Sequence, residues 1–249
     1  MLPEDRHDYI LDDLRHNQSV RIADLCQQLG VTRETIRKDL HVLEEQNLLK
    51  KVHGGAVLDK PHIEPPYATR NETDLDEKRA IAKRAVDYIE DGDSIYIDVG
   101  TTTLLMASYL QTKQNLTVLT NSLKVAYELS ENTNFNIIMS GGMLRNQELA
   151  LSGSLAYKIF QEFYIDKAFI GGGGVSLVNG ITDYHIEETQ LKTMMGQKAR
   201  QSYVLADYSK FGKTAFKHVC NLEEVEQIIT DKRAIKTPFA ELDNVDIVE

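Results

Sequence analysis

Two cysteines, Cys26 and Cys220, are all this sequence has, and they stand far apart with no metal-ligand spacing around them. That excludes a disulfide scaffold and fits a reducing compartment, so a cytoplasmic location is expected. Both read as small buried apolar residues. No apolar run approaches the roughly 18 residues that a membrane-spanning helix needs. The opening stretch MLPEDRHDYI is of mixed charge and lacks the basic-then-apolar pattern of a secretory leader. No metal site and no coiled-coil heptad run is visible, and no cofactor is expected. What is present is ordinary for a globular protein. The chain has 249 residues, 42% hydrophobic and 27% charged, enough for two small domains or one large one.

A formal net charge of -10 at first argues against nucleic acid. A global count hides local surfaces, however, and only the local surface meets phosphate. Arg33, Arg37, Lys38, Lys50 and Lys51 fall close together, while the acidic residues are spread over the rest.

Three short helical patterns precede Gln46. His7 to His16 sets Tyr9, Ile10, Leu11 and Leu14 near one face, and Arg21 to Leu29 does so with Ile22, Leu25, Cys26 and Leu29. Gly30 stands where a helix end needs a left-handed residue, and Thr32 where the next helix needs an N-cap. The third helix, from about Arg33 to Gln46, buries Ile36, Leu40 and Leu43. Two short helices joined through a glycine turn make a helix-turn-helix, whose second helix enters the major groove. Its polar face carries Thr32, Arg33, Thr35, Arg37 and Lys38, with Arg21 at the start of the helix before it. Arg suits guanine or phosphate, and Thr suits phosphate or a thymine methyl. Glu34 could accept from cytosine or simply favour the helix dipole. After a turn at Asn47, Leu48 to Val52 reads as a strand, His53-Gly54-Gly55 as a hairpin turn and Ala56 to Leu58 as the return strand. This wing would bring Lys50, Lys51 and His53 to the DNA backbone. The same periodicity also suits a small helical bundle with solvated charges.

The run VTRETIRKDLHVLEEQNLLKKVHGGAV resembles the DNA-binding signature of the DeoR family of bacterial regulators. That resemblance implies that Thr35, Arg37 and Lys38 lie at or near DNA.

Residues 1–58 therefore read as a winged helix-turn-helix domain, 59–74 as a semi-extended linker, and 75–249 as a sensor domain. The linker holds Pro61, Pro65 and Pro66 and no periodic apolar residues. From Asp76 on, helix and strand alternate. Lys78 to Tyr88 is an amphipathic helix. Strands are expected at Ser94–Ile97, Leu116–Leu119, Asn136–Met139, Lys167–Ile170, Tyr203–Leu205, Gln227–Ile229 and Val245–Val248. Near-continuous apolar strands between helices predict an α/β, Rossmann-like domain with a parallel sheet covered on both faces. Ligands of such sheets bind beyond the carboxyl ends of the strands.

Those ends carry Asp98-Val99-Gly100-Thr101-Thr102, then Thr120-Asn121-Ser122, then Gly141-Gly142 with Arg145. Gly171 to Gly174 follow, with Gly180, Asp183 and Glu187 in the loop beyond, and lastly Asp207 to Gly212 with Lys210. Glycine and hydroxyls at a helix start offer N–H and O–H donors to an anion. Their recurrence with Arg and Lys points to an anionic, polyhydroxylated ligand. His185 reads as structural. Phe211-Gly212-Lys213-Thr214 ends like a P-loop, but Asp207 stands where the first glycine must be. The glycine run from Gly171 fails GxGxxG, because Ser176 or Leu177 falls at the third glycine.

These strand-end motifs, with Gly153, also resemble the DeoR sensor domain, and Tyr208 is the one small departure. The resemblance implies a fold related to ribose-5-phosphate isomerase and CoA transferases, and a phosphorylated sugar or polyol as effector. The expected protein is a non-enzymatic repressor, a homo-oligomer (dimer or tetramer) whose partners are double-stranded operator DNA and that effector, with no membrane. The rival is a sugar-phosphate isomerase-like enzyme using the same cleft, with Asp183 or Glu187 as base.

Overall fold

In the computed structural model, which describes residues 3–17, 19–45, 48–52, 54–58 and 64–248, the chain divides into two units, Met1–Pro61 and His62–Glu249. The first runs α1 (Pro3–Asn17), β1 (Ser19–Arg21), α2 (Ile22–Leu29), α3 (Arg33–Glu45), β2 (Leu49–Val52) and β3 (Gly55–Leu58). Ile10 and Leu14 of α1, Leu25 of α2 and Ile36, Leu40 and Leu43 of α3 lie at helical spacing and close one core with Leu49 and Ala56. Tyr9, expected on that face, is 40% exposed, because one step of a 3.6-residue turn from Ile10 carries it off the buried stripe.

The helix-turn-helix is built as the sequence requires. Gly30 has φ 64° and ψ 31°, a left-handed conformation that costs glycine little, and its N–H donates to the Cys26 carbonyl at 3.0 Å. Thr32 Oγ1 accepts the Thr35 N–H at 3.2 Å and so caps α3. Asp39, buried on α3, receives Arg6 Nε at 2.8 Å and Arg6 Nη2 at 2.9 Å, which ties α3 to α1. The wing pairs antiparallel, Lys50 with Val57 and Lys51 with Ala56. The sheet has a third strand that sequence reading missed, since β1 pairs with β3 in the order β1-β3-β2. Three residues with one apolar member, Val20, are too few to show alternation. The turn at Asn47 and the residue His53 lie outside the described residues.

The second unit opens with α4 (Tyr67–Glu72), which corrects the reading of 59–74 as extended linker. Pro66 is its N-cap and Pro65 precedes that, so the prolines stand ahead of the first turn, where they interrupt no helical bond. Next come α5 (Leu75–Asp87), β4 (Ser94–Ile97), α6 (Thr101–Tyr109), β5 (Thr117–Thr120), α7 (Leu123–Asn132) and β6 (Asn136–Met139). The hairpin β7 (Met143–Arg145) and β8 (Ala150–Ser152) leads into α8 (Ser154–Phe160) and β9 (Ile165–Gly171). Then follow β10 (Gly174–Ser176), β11 (Gly180–Asp183), α9 (Ile186–Lys198), β12 (Ala199–Leu205), β13 (Lys217–Cys220), β14 (Gln227–Asp231) and β15 (Val245–Val248).

All seven strands expected from the apolar runs enter one parallel sheet, ordered β15-β14-β12-β9-β4-β5-β6. Alternate residues of each strand feed opposite cores. Ile95, Ile97, Val118, Phe169 and Tyr203 pack under α5, α6 and α7. Tyr96, Leu119, Ala168, Ile170 and Val204 pack under α8 and α9. From β4 the chain runs outward to β5 and β6, then returns to β9 on β4's other side. Between β4 and β9 the strand order therefore reverses, and a crevice opens at their carboxyl ends. A small antiparallel sheet, β10-β11-β13, takes in Gly180 and Asp183 on β11, where the sequence suggests only a loop.

Candidate functional site

On the first unit, Arg33, Arg37 and Lys38 are exposed along α3, with Thr32 exposed and Thr35 half-buried beside them. Arg33 and Arg37 are four residues apart and share a face. Arg21, at the end of β1, and Lys50, on β2, are exposed too. None of these five cations meets a carboxylate among the described residues. Lys51 differs. Strand β2 runs back beside α3, so Glu44 accepts the Lys51 N–H at 2.8 Å and lies 3.2 Å from its Nζ. Unpaired cations and hydroxyls on an exposed helix are the groups that contact phosphate and base edges.

On the second unit, a cleft partly open to solvent lies at the switch point between β4 and β9. Its floor is the start of α6. Gly100 is the N-cap, no side chain caps this helix, and Thr101, Thr102 and Thr103 of the first turn line the cleft. The Thr103 hydroxyl turns back to the Gly100 carbonyl at 3.1 Å, while those of Thr101 and Thr102 bond to none of the described residues. An uncapped helix start presents free N–H groups and the positive end of its dipole. Gly171, Gly172 and Gly173 at the end of β9 form one wall, and Leu205, Asp207 and Lys210 at the end of β12 and beyond it form another. The Lys210 ammonium has no carboxylate partner among the described residues.

Beneath the cleft, α9 inserts Lys192, 2% exposed. Its Nζ lies 2.6 Å from Asp98 Oδ2, contacts Asp183, and donates to the Gly171 carbonyl at 3.1 Å. Burial works against this ammonium, but the two carboxylates more than offset it and hold its pKa well above the ordinary lysine value. Burial pushes the Asp98 carboxyl up, with Lys192 opposing. Asp183, although burial works against its charge, is held below the usual carboxylate range by Lys192 and the Tyr184 N–H.

The remaining wall is a chain of ion pairs. Glu64 bridges Arg70 at 2.8 Å and Arg145 at 2.7 Å. Arg70 also holds Glu148, and Arg145 donates through Nη2 to Glu188 at 2.8 Å. Arg145 Nε lies 2.7 Å from Glu188 Oε1, yet the two are not aligned for a hydrogen bond and both are buried. Burial, with Asp98 and Glu64 nearby, pushes Glu188 up to about 7 against the pull of Arg145 and Lys192.

Of the residues proposed from sequence, the structure gathers Gly100, Thr101, Thr102, Arg145, Asp183 and Lys210 around this cleft. Asp98 lies fully buried under it. Thr120, Asn121 and Ser122 are turned to other work. Thr120 Oγ1 donates to Ile97 O at 2.7 Å, Asn121 accepts from Tyr96 at 3.0 Å, and Ser122 caps α7. Gly141 and Gly142 turn the chain into β7. Gly142 has φ 108°, and a Cβ there would stand 2.4 Å from the Ser152 carbonyl. Glu187, expected in a loop, sits in the first turn of α9 and accepts from Ser152 Oγ at 3.1 Å. His185 is the N-cap of that helix, its Nδ1 accepting the Glu188 N–H at 3.5 Å. Sequence reading missed Glu64, Arg70, Glu148, Glu188 and Lys192. Arg70 fell in the presumed linker, and Lys192 sits in a helix with no local signal of burial.

Residues 6–62 match the DeoR-like helix-turn-helix domain, and residues 73–232 match the DeoR C terminal sensor domain. The chain belongs to the DeoR family. Among DeoR-family relatives, the HTH-type transcriptional repressor GlcR of Bacillus subtilis is 37% identical over 93% of this chain and 90% of its own. The HTH-type transcriptional regulator YulB of the same organism is 36% identical over 93% and 90%. The glycerol-3-phosphate regulon repressor of Escherichia coli is 30% identical over 91% and 90%. As a DeoR-family member the protein is a transcriptional regulator and not an enzyme. Among solved structures, ribose 5-phosphate isomerase A from Methanocaldococcus jannaschii aligns at a TM-score of 0.42 and 18% identity, over 56% of this chain and 55% of its own. That likeness is too slight to carry a conclusion. No helix among the described residues is long and apolar enough to cross a membrane.

Proposed function

We propose that this DeoR-family repressor binds operator DNA through α3 and the β2–β3 wing, and that a phosphorylated sugar or polyol in the α6 cleft controls its grip. The observation that carries the ligand half is the uncapped start of α6 at the switch point. There the Thr101 and Thr102 hydroxyls and the Lys210 ammonium stand unpaired among the described residues, in a cleft whose other cations, Arg70, Arg145 and Lys192, are each held by carboxylates. A phosphate group fits the first-turn N–H groups and the ammonium, and the surrounding carboxylates fit sugar or polyol hydroxyls. The name of the E. coli relative, a glycerol-3-phosphate regulon repressor, agrees with that ligand class.

On the DNA side, Thr32, Arg33, Thr35, Arg37 and Lys38 make the reading helix. Arg21 and Lys50 meet backbone phosphate, and Lys51 does so on leaving Glu44. The protein acts as a homo-oligomer, and two-fold symmetric binding sets half-sites about 34 Å apart, or multiples of that. A coupling of about 2.7 kcal/mol suffices to weaken DNA binding 100-fold.

The test is the melting temperature of the full chain against a panel of sugar and polyol phosphates, glycerol 3-phosphate among them. A ligand at 100 times its Kd adds about 2.7 kcal/mol to the unit that binds it. A clear upward shift with one compound, lost in Lys210→Ala, is expected. No shift across the panel removes the ligand half of the proposal, and an unchanged shift in Lys210→Ala removes Lys210 from the site.

A further inference from the structure

Three carboxylates serve two guanidiniums on the cleft wall. Arg70 has Glu148 and Arg145 has Glu188, both from within the sensor, and Glu64 is added to that matched set. Glu64 differs from the other two in its place and its exposure. It stands in residues 64–66, ahead of the first helix of its unit, whereas Glu148 lies in the tight β7–β8 turn and Glu188 in α9. Its side chain is 19% exposed, against 5% for Glu148 and 6% for Glu188. It is also the member that leaves the local charge unbalanced. The buried Glu188 Oε1 and Arg145 Nε have no aligned hydrogen bond, so this pair does not fully satisfy itself and remains open to another polar partner.

We propose that Glu64 is a tethered competitor of the ligand: its carboxylate holds the Arg70–Arg145 pair in the ligand-free chain, and an incoming phosphorylated compound displaces it. This rests on the reading of the cleft as a phosphate site. A dianion entering a wall that already has surplus negative charge repels its carboxylates, and the one that water can most readily receive is Glu64, the most exposed of the three. The guanidiniums it leaves are planar, fixed donors suited to phosphate or sugar oxygens. Glu64 stands three residues after Pro61, where the first unit ends. By linkage, whatever holds Glu64 in place weakens ligand binding by the same factor that ligand weakens its hold.

The experiment is titration calorimetry of the full chain, Glu64→Ala and Glu64→Gln with inorganic phosphate and with glycerol 3-phosphate. Each guanidinium keeps its own carboxylate in both variants, and unfolding curves confirm that the fold is retained. If Glu64 occupies the wall nine-tenths of the time, removing it tightens binding about 10-fold. Glu64→Gln keeps the shape and loses the charge, and is expected to follow Glu64→Ala. Binding equal to or weaker than that of the unaltered chain overturns the displacement while leaving the phosphate site standing. No binding by any of the three chains removes the site itself, and the displacement with it.

Discussion

The two units handle charge in opposite ways. On α3, Arg33, Arg37 and Lys38 stand exposed with no carboxylate partner among the described residues, each in a local sequence that announces it. In the sensor cleft, Arg70, Arg145 and Lys192 are half-buried or buried, and each is matched by carboxylates from elsewhere in the chain. A surface that reads a polyanion needs free cations, and water holds those at little cost to the fold. A small-molecule site must fix its groups before the ligand arrives, and buried charges stay fixed only when paired. It follows that substitutions of these α3 cations alter function with little change in stability, whereas substitutions under the cleft alter both.

The sharpest contrast is at Lys192. Lys192→Met removes the ammonium from between Asp98 and Asp183 and leaves two carboxylates in the interior without a counter-charge. Breaking a buried pair in this way costs about 3–5 kcal/mol. Urea unfolding of the full chain reads it as an earlier midpoint for the sensor's transition. A loss below about 1 kcal/mol would break the comparison, since the buried lysine would then behave like a surface one.

A slightly smaller effect is expected at Glu188, and it depends on pH. Its carboxyl is raised from 4.5 to about 7, chiefly by burial. The folded sensor thus holds this proton more tightly than the unfolded chain does. The resulting stability is fully present below about pH 4.5 and is lost as pH rises through 7. Glu188→Gln removes that proton equilibrium. The stability of the variant should fall less than that of the unaltered chain between pH 4.5 and 7, by roughly 3 kcal/mol at most. Parallel pH profiles would place the Glu188 carboxylate in a far better solvated setting.

What could be read in advance follows the same division. A winged helix-turn-helix is local: Gly30, Thr32 and the Ile36–Leu40–Leu43 stripe lie in one short run, each fixing a turn, a cap or a buried face. The parallel sheet was legible for a similar reason, because each buried strand is a near-continuous apolar run. The cleft was legible only where it is local, as at Gly100 to Thr102. Strand ends that look alike in sequence diverge in space. Thr120 and Ser122 lie one strand beyond the switch point and serve β4 and α7, while Asp98 faces down to Lys192. The ion-pair wall joins Glu64 and Arg70 to Arg145, Glu148 and Glu188, and no spacing rule connects residues so far apart. Pro65 and Pro66 misled for want of one fact, namely which side of the helix start they occupy.

The most direct test of this division of labour is a titration with DNA selected by the protein from a random pool. The unaltered chain, Arg37→Ala and Lys210→Ala are compared with and without the phosphate compound that raises the melting temperature. Arg37→Ala is predicted to lose about 1–3 kcal/mol of DNA affinity, roughly 10- to 100-fold, while keeping its ligand-induced rise in melting temperature. Lys210→Ala should bind the DNA like the unaltered chain and ignore the compound. Full DNA affinity in Arg37→Ala, or a loss in Lys210→Ala as large as that expected of Arg37→Ala, would contradict the assignment of reading to α3 and sensing to the cleft.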